Sequence, residues 1–190
     1  MAILLAILIL ISSVYNLVFP VVAYILQAIS FQTIARRRGI QKPYLAWIPV
    51  ANMWLLGCIG DQYRYVNRGT DRKCRKKLLW LTIATWVVTA LFWLAVFGAE
   101  YAVVKGIQTA VALIFAVLAA LCFFQYIIVV VAAVVYQYIA IFDYFRSCDP
   151  NRAVLYLVMS ILLPITYPVL LLLLRNEDKG MPPRKADPVE

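Results

Sequence analysis

The sequence predicts an all-α protein: a polytopic transmembrane helical bundle with three spanning helices and one or two Pro-broken segments, either re-entrant or additional spans. Three observations lead there. Residues 3–35, 78–98 and 107–142 carry no charged side chain, and a helical span needs about 20 apolar residues. Hydrophobic residues make up 65% of the 190 residues and charged ones 14%. A soluble domain averages about 45–50% and about 25%, so a soluble fold of this size has no interior large enough for so much apolar surface. Finally, the Lys and Arg residues behind the net charge of +9 stand in short clusters between the apolar runs. That placement is the positive-inside pattern of membrane proteins and argues against a nucleic-acid partner.

The first span, 3–35, holds Pro20 near its middle, where a kink or the outer helix end is expected. A cleaved signal peptide ending near Ala23 is the less expected reading, because no Lys or Arg precedes the run and the run continues beyond that point. Arg36, Arg37, Arg38, Gly39 and Lys42 follow. The next apolar segment, 44–60, is short and contains Pro49, Asn52 and Gly57. A second basic stretch, 64–77, comprises Arg64, Arg68, Arg72, Lys73, Arg75, Lys76 and Lys77, against Asp61 and Asp71. If 44–60 crossed the bilayer, one of these clusters would have to be exported with it, which the charge rule disfavours. The segment is therefore expected to be a re-entrant hairpin or interfacial helix on the cytoplasmic side, broken by Pro49 and packed against the true spans.

The second span, 78–98, is marked by Trp80, Trp86 and Trp93, and a nearly neutral loop with Glu100 and Lys105 leads to the third. The third, 107–142, has no Gly or Pro and is too long for a hydrocarbon core of about 30 Å, so it must tilt or project. A polar break of Asp143, Arg146, Asp149, Pro150 and Arg152 precedes the last apolar segment, 153–174, which contains Pro164 and Pro168. The resulting topology puts the N-terminus outside and the basic loops in the cytoplasm. Segment 153–174 is long enough to be an additional span, which would put the tail outside, whereas Arg175, Lys179, Arg184 and Lys185 favour a second Pro-bent hairpin and a cytoplasmic tail. The two halves share a pattern of long helix, polar break and Pro-bent segment, which any polytopic chain can show. Residues 1–175 read as one domain and 176–190 as a polar, flexible tail.

The functional reading is largely one of exclusion. With no histidine, the commonest general base and metal ligand is missing. Cys58, Cys74, Cys122 and Cys148 form no CxxC pair, so no disulfide, metal site or cofactor is expected. Ser12 and Ser13 have no base beside them. Among the thiols, only Cys74, set between Lys73, Arg75 and Lys76, has an electrostatic case for reactivity. No confident span contains an Asp, Glu, Lys or Arg, which weighs against an ion-coupled carrier.

Three residues are candidates for a ligand or pathway site: Pro49, Asn52 and Asp61. A broken segment at membrane depth frees backbone groups for a ligand; the plainer reading is that Asn52 pins the bend and Asp61 is a helix-end charge paired with Arg64. The stretch Arg64, Arg68, Arg72, Lys73, Arg75, Lys76, Lys77 is a candidate for anionic lipid headgroups, at about 1 kcal/mol per basic residue near the surface. The plainer reading is that it sets orientation only. Gln27, Gln32, Gln125 and Gln137 read as interhelical hydrogen-bonding residues, and Trp47, Trp54, Tyr63 and Tyr65 as interface anchors.

The residues Arg37-Arg38-Gly39-Ile40, then Pro43-Tyr44-Leu45-Ala46-Trp47-Ile48-Pro49-Val50-Ala51-Asn52-Met53-Trp54-Leu55-Leu56-Gly57, then Asp61-Gln62-Tyr63 resemble a segment of small, uncharacterised multi-pass membrane proteins of Gram-positive, gut-type bacteria. The run Gly180-Met181-Pro182-Pro183-Arg184 is similar as well. The resemblance covers under a quarter of the chain. It implies a bacterial cytoplasmic membrane and brings no catalytic residue. The expected role is a non-enzymatic accessory or scaffold protein whose partners are lipids, a protein or a second copy. The alternative is a small transporter or channel component.

Overall fold

The fold is described from a computed structural model that covers residues 2–70, 73–106 and 109–182. Among these residues the chain forms helices α1 (Ala2–Arg37), α2 (Pro49–Arg68), α3 (Cys74–Val104), α4 (Thr109–Cys148), α5 (Ala153–Leu162) and α6 (Thr166–Leu174), with a 3₁₀ turn at Pro43–Trp47 and no strand. Three segments are long and apolar enough to cross a membrane: Asn16–Arg37, Cys74–Val104 and Leu113–Cys148. Each overlaps one of the three expected spans. Pro20 lies inside α1 and does not end it.

Pro49 behaves differently from the expectation. It does not break a segment at its centre; it opens α2. The first helical position needs no N–H donor and suits the fixed φ of proline. Ile48 before it is extended, at φ −99° and ψ 119°, as a residue preceding proline must be. The helix then runs for 20 residues to Arg68, well beyond Gly60. Its buried positions include Asn52, Leu55, Leu56, Ile59 and Tyr63, the spacing of one helical face. The basic stretch 64–77 is consequently not a single loop. Arg64 and Arg68 end α2, and Arg75, Lys76 and Lys77 lie in the first turn of α3; Arg72 lies outside the described residues.

Helices α3 and α4 form a long pair. With 31 and 40 residues they extend about 46 and about 60 Å at 1.5 Å per residue, so both exceed the hydrocarbon core. Their outer parts touch little but each other. Trp86, Leu94, Phe124 and Ile128 are exposed, as lipid-facing side chains are. Thr82, Thr85 and Thr89 each return the hydroxyl hydrogen to the carbonyl four residues earlier, at 2.7–2.8 Å, which leaves no unsatisfied donor in an apolar setting.

The core lies at the opposite end, where the C-termini of α1, α4 and α6 meet α2 and the start of α3. Phe31, Ile34, Leu55, Leu56, Ile59, Ile141, Tyr144, Phe145 and Leu171 are buried there. Tyr144 packs its ring against Phe31, with centroids 5.8 Å apart, and donates its hydroxyl hydrogen to the Leu171 carbonyl at 3.0 Å.

Segment 153–174 is a helical hairpin broken around Pro164. Helix α5 has 10 residues, about 15 Å, too short to span. It starts directly after α4, and the chain returns to the same end, because the Arg175 carbonyl accepts from Arg37 Nη1 at 3.0 Å. Pro168, in the first turn of α6, removes no intrahelical donor. The tail, expected to be free, is tied down as far as it is described. The Lys179 and Gly180 amides donate to the Cys148 and Ser147 carbonyls, both at 3.1 Å. Asn67 Nδ2 donates to the Gly180 carbonyl at 3.0 Å. Glycine is required at 180, since a Cβ there would run into the Arg146 carbonyl oxygen.

Candidate functional site at the polar end of the bundle

Most of the chain's described ion pairs gather at the end where its core lies. Asp61, on α2, accepts from the Cys74 and Arg75 amides with its two oxygens, at 2.9 and 3.0 Å. These are the first free N–H groups of α3, so a carboxylate from one helix caps the next, where the helix dipole favours negative charge. The close approach needs Gly57, because a Cβ there would overlap the Arg75 backbone. Asp61 is thus a helix-end charge, but its partner is the α3 backbone and not Arg64.

Arg64 pairs instead with Asp143 on α4, through Nε and Oδ2. The two side chains are 9% and 7% exposed. This corrects the expectation for Arg64: it is an interior cation joining α2 to α4, out of reach of lipid headgroups. Arg68, Lys73, Arg75, Lys76 and Lys77 are exposed at the same end. Lys77 lies over the Tyr136 ring, 5.1 Å from its centroid.

A third cluster joins the first basic run to the tail. Arg38 donates from Nε and Nη2 to Asp178 Oδ1 at 3.0 and 2.7 Å, and from Nη2 to Ser147 Oγ at 2.9 Å. Arg37 Nη2 holds the other carboxylate oxygen at 2.8 Å. A cleft of about 550 Å³ is lined by Arg37, Arg38, Gln62, Val66, Asp178 and Met181. A second, of about 410 Å³, borders Trp54, Cys58, Asp61, Tyr65 and Arg75. Burial pushes the Cys58 thiol up to about 12, only partly opposed by the charge of Arg75, so it stays protonated. Cys74 is 5% exposed, which removes the one thiol with a case for reactivity from solvent.

The pathway candidates are not brought together. Pro49 is exposed at the start of α2 and Asp61 caps α3. Nine residues of helix, about 13 Å, separate Asn52 from Asp61. Asn52 itself is 1% exposed. Its side chain interacts with the Tyr24 hydroxyl of α1, and Nε2 of Gln27 is buried without a partner. Gln32 accepts from Trp47 Nε1 at 3.0 Å and so pins the 3₁₀ turn to α1. Tyr63 is buried, a packing residue and not an anchor, whereas Tyr65 is 67% exposed. Among the described residues, no group of three His, Cys, Asp or Glu side chains could hold a metal ion.

Arg38 and Asp178 were not candidates on sequence. The triple arginine read as an orientation signal, and nothing local marks a partner 140 positions away. Compared with models of protein families, with curated proteins and with solved structures, the chain matches none of them.

Proposed function

We propose that the chain is a non-enzymatic accessory or scaffold protein of the bacterial cytoplasmic membrane, with the polar end of its bundle in the cytoplasm. The observation that carries this reading is the use made of the charged residues. Asp61, Asp143 and Asp178 are each engaged in joining one segment to another. Arg68, Arg75 and Lys76 remain exposed at that end, suited to anionic headgroups or an acidic partner surface. The orientation follows from the preference of Lys and Arg for the cytoplasmic side. The bacterial setting follows from the resemblance of the Arg37 to Tyr63 region. The outer faces of α3 and α4 are available to lipid, a protein partner or a second copy.

The test is affinity purification from native membranes, comparing the parent chain with the combined Arg68→Gln, Arg75→Gln, Lys76→Gln variant. The variant is expected to fold normally and to lose its bound partner or its anionic lipid. An unchanged protein and lipid complement would remove the role assigned to this surface.

A second reading, a small transporter or channel component, is favoured by Asn52. A buried amide that the Tyr24 hydroxyl can satisfy only in part is costly at membrane depth, and a polar ligand or water would complete it. Flux into liposomes that falls on Asn52→Ala, with the fold intact, supports this reading; unchanged flux removes it.

A further inference from the structure

We propose that the cleft at Arg37 and Arg38 binds a glycerol phosphate group, and that Asp178 of the tail occupies its cationic part until that group arrives. Two guanidinium groups converge on one carboxylate, each oxygen held by a different arginine, so the cluster keeps one positive charge in excess. The Arg38 side chain is 4% exposed, and its Nη1 is buried without a partner. An arginine fork matches phosphate geometry, and a phosphate brings the additional oxygen that a carboxylate lacks. Gln62 lines the same cleft. Its Nε2 donates to the Arg38 carbonyl at 3.3 Å, and its Oε1 is buried with no donor. A bare anion offers that oxygen nothing, whereas a hydroxyl does. Two residues that line one cleft thus hold an unmet donor and an unmet acceptor, both enclosed while Asp178 is in place, which suit the phosphate and a hydroxyl of a phosphoglycerol. Val66 and Met181 add an apolar wall.

The group is either free or the headgroup of an anionic phospholipid. Binding requires Asp178 to leave, since two anions would otherwise share the arginines. The strap from Arg175 to Pro182 then keeps the backbone bonds of Lys179 and Gly180, the contact from Asn67 and the Arg37 bond to the Arg175 carbonyl, and loses its carboxylate anchor. The inference rests on this end lying at a membrane surface, not on the accessory role. Loss of the co-purified partner would leave it standing.

The experiment places the full chain in nanodiscs of phosphatidylcholine, with or without phosphatidylglycerol, and follows endoproteinase Lys-C cleavage after Lys179. Native mass spectrometry counts the lipids retained. Phosphatidylglycerol is expected to speed cleavage roughly tenfold or more, the factor for losing a charge-assisted hydrogen bond. Soluble glycerol phosphate added to phosphatidylcholine discs reproduces this if the free group is the ligand, and does not if the lipid is. Asp178→Asn is expected to cleave fast in every disc and to retain more phosphatidylglycerol; Arg37→Gln is expected to retain less. Equal cleavage in all discs overturns the proposal. So does an acceleration that survives Arg37→Gln but is lost in Lys76→Gln, which would mark a general surface effect.

Discussion

Asp61 and Arg64 stand three residues apart on α2 and serve different helices. The Asp61 carboxylate satisfies two amides of α3. Asp61→Ala is expected to destabilise the protein by about 1–2 kcal/mol, the usual effect of removing a cap, and Asp61→Asn by less, since its single oxygen still accepts. Thermal unfolding in detergent measures both. The Arg64–Asp143 pair is almost fully enclosed. Asp143→Asn leaves a buried cation uncompensated and is expected to cost roughly 3–5 kcal/mol, whereas replacing both residues by apolar ones of similar size recovers most of it. If the single variant unfolds with the parent, the pair is not interior. Cys58, with its thiol held up to about 12, is expected to resist alkylation at pH 8 in the folded protein and to react after denaturation, read by mass spectrometry. None of these pairings was legible beforehand. The sequence shows acids near helix ends, but which cation each meets depends on helices that are distant in the chain.

At the scale of elements, the three spans were legible because they need only composition: a run of apolar residues longer than the bilayer requires. The Pro-bent hairpin at 153–174 was legible too, since Pro164 interrupts a segment whose flanking charges favour one side. Helix α2 was not. Its apolar part ends near Gly60, but the helix continues through Asp61 and Arg64, which neighbouring helices enclose, to an exposed last turn at Arg68. Reading the element as ending with its hydrophobicity put Pro49 at its centre. The position now carries a prediction: Pro49→Ala is expected to shift stability by no more than about 1 kcal/mol, because the first helical position makes no bond for proline to break. Leu56→Pro, in the helix interior, is expected to cost about 3 kcal/mol or more. Comparable effects of the two in thermal unfolding would argue that the helix starts elsewhere.

At the scale of the whole molecule, the chain divides into an apolar α3–α4 pair and a polar end where α1, α2, α4, α6 and the tail are joined. The tail belongs to the same end as the basic residues of α2 and α3, a result that follows from backbone bonds of Lys179 and Gly180 to the end of α4. The most direct measurement is cysteine labelling of Lys76→Cys, Lys105→Cys and Lys179→Cys variants with a membrane-impermeant maleimide, using the parent chain as background. Lys105→Cys, between α3 and α4, is expected to label in intact bacterial cells, and Lys76→Cys and Lys179→Cys only after permeabilisation. Labelling of Lys179→Cys in intact cells while Lys76→Cys stays protected would place tail and basic helix ends on opposite sides and contradict the account.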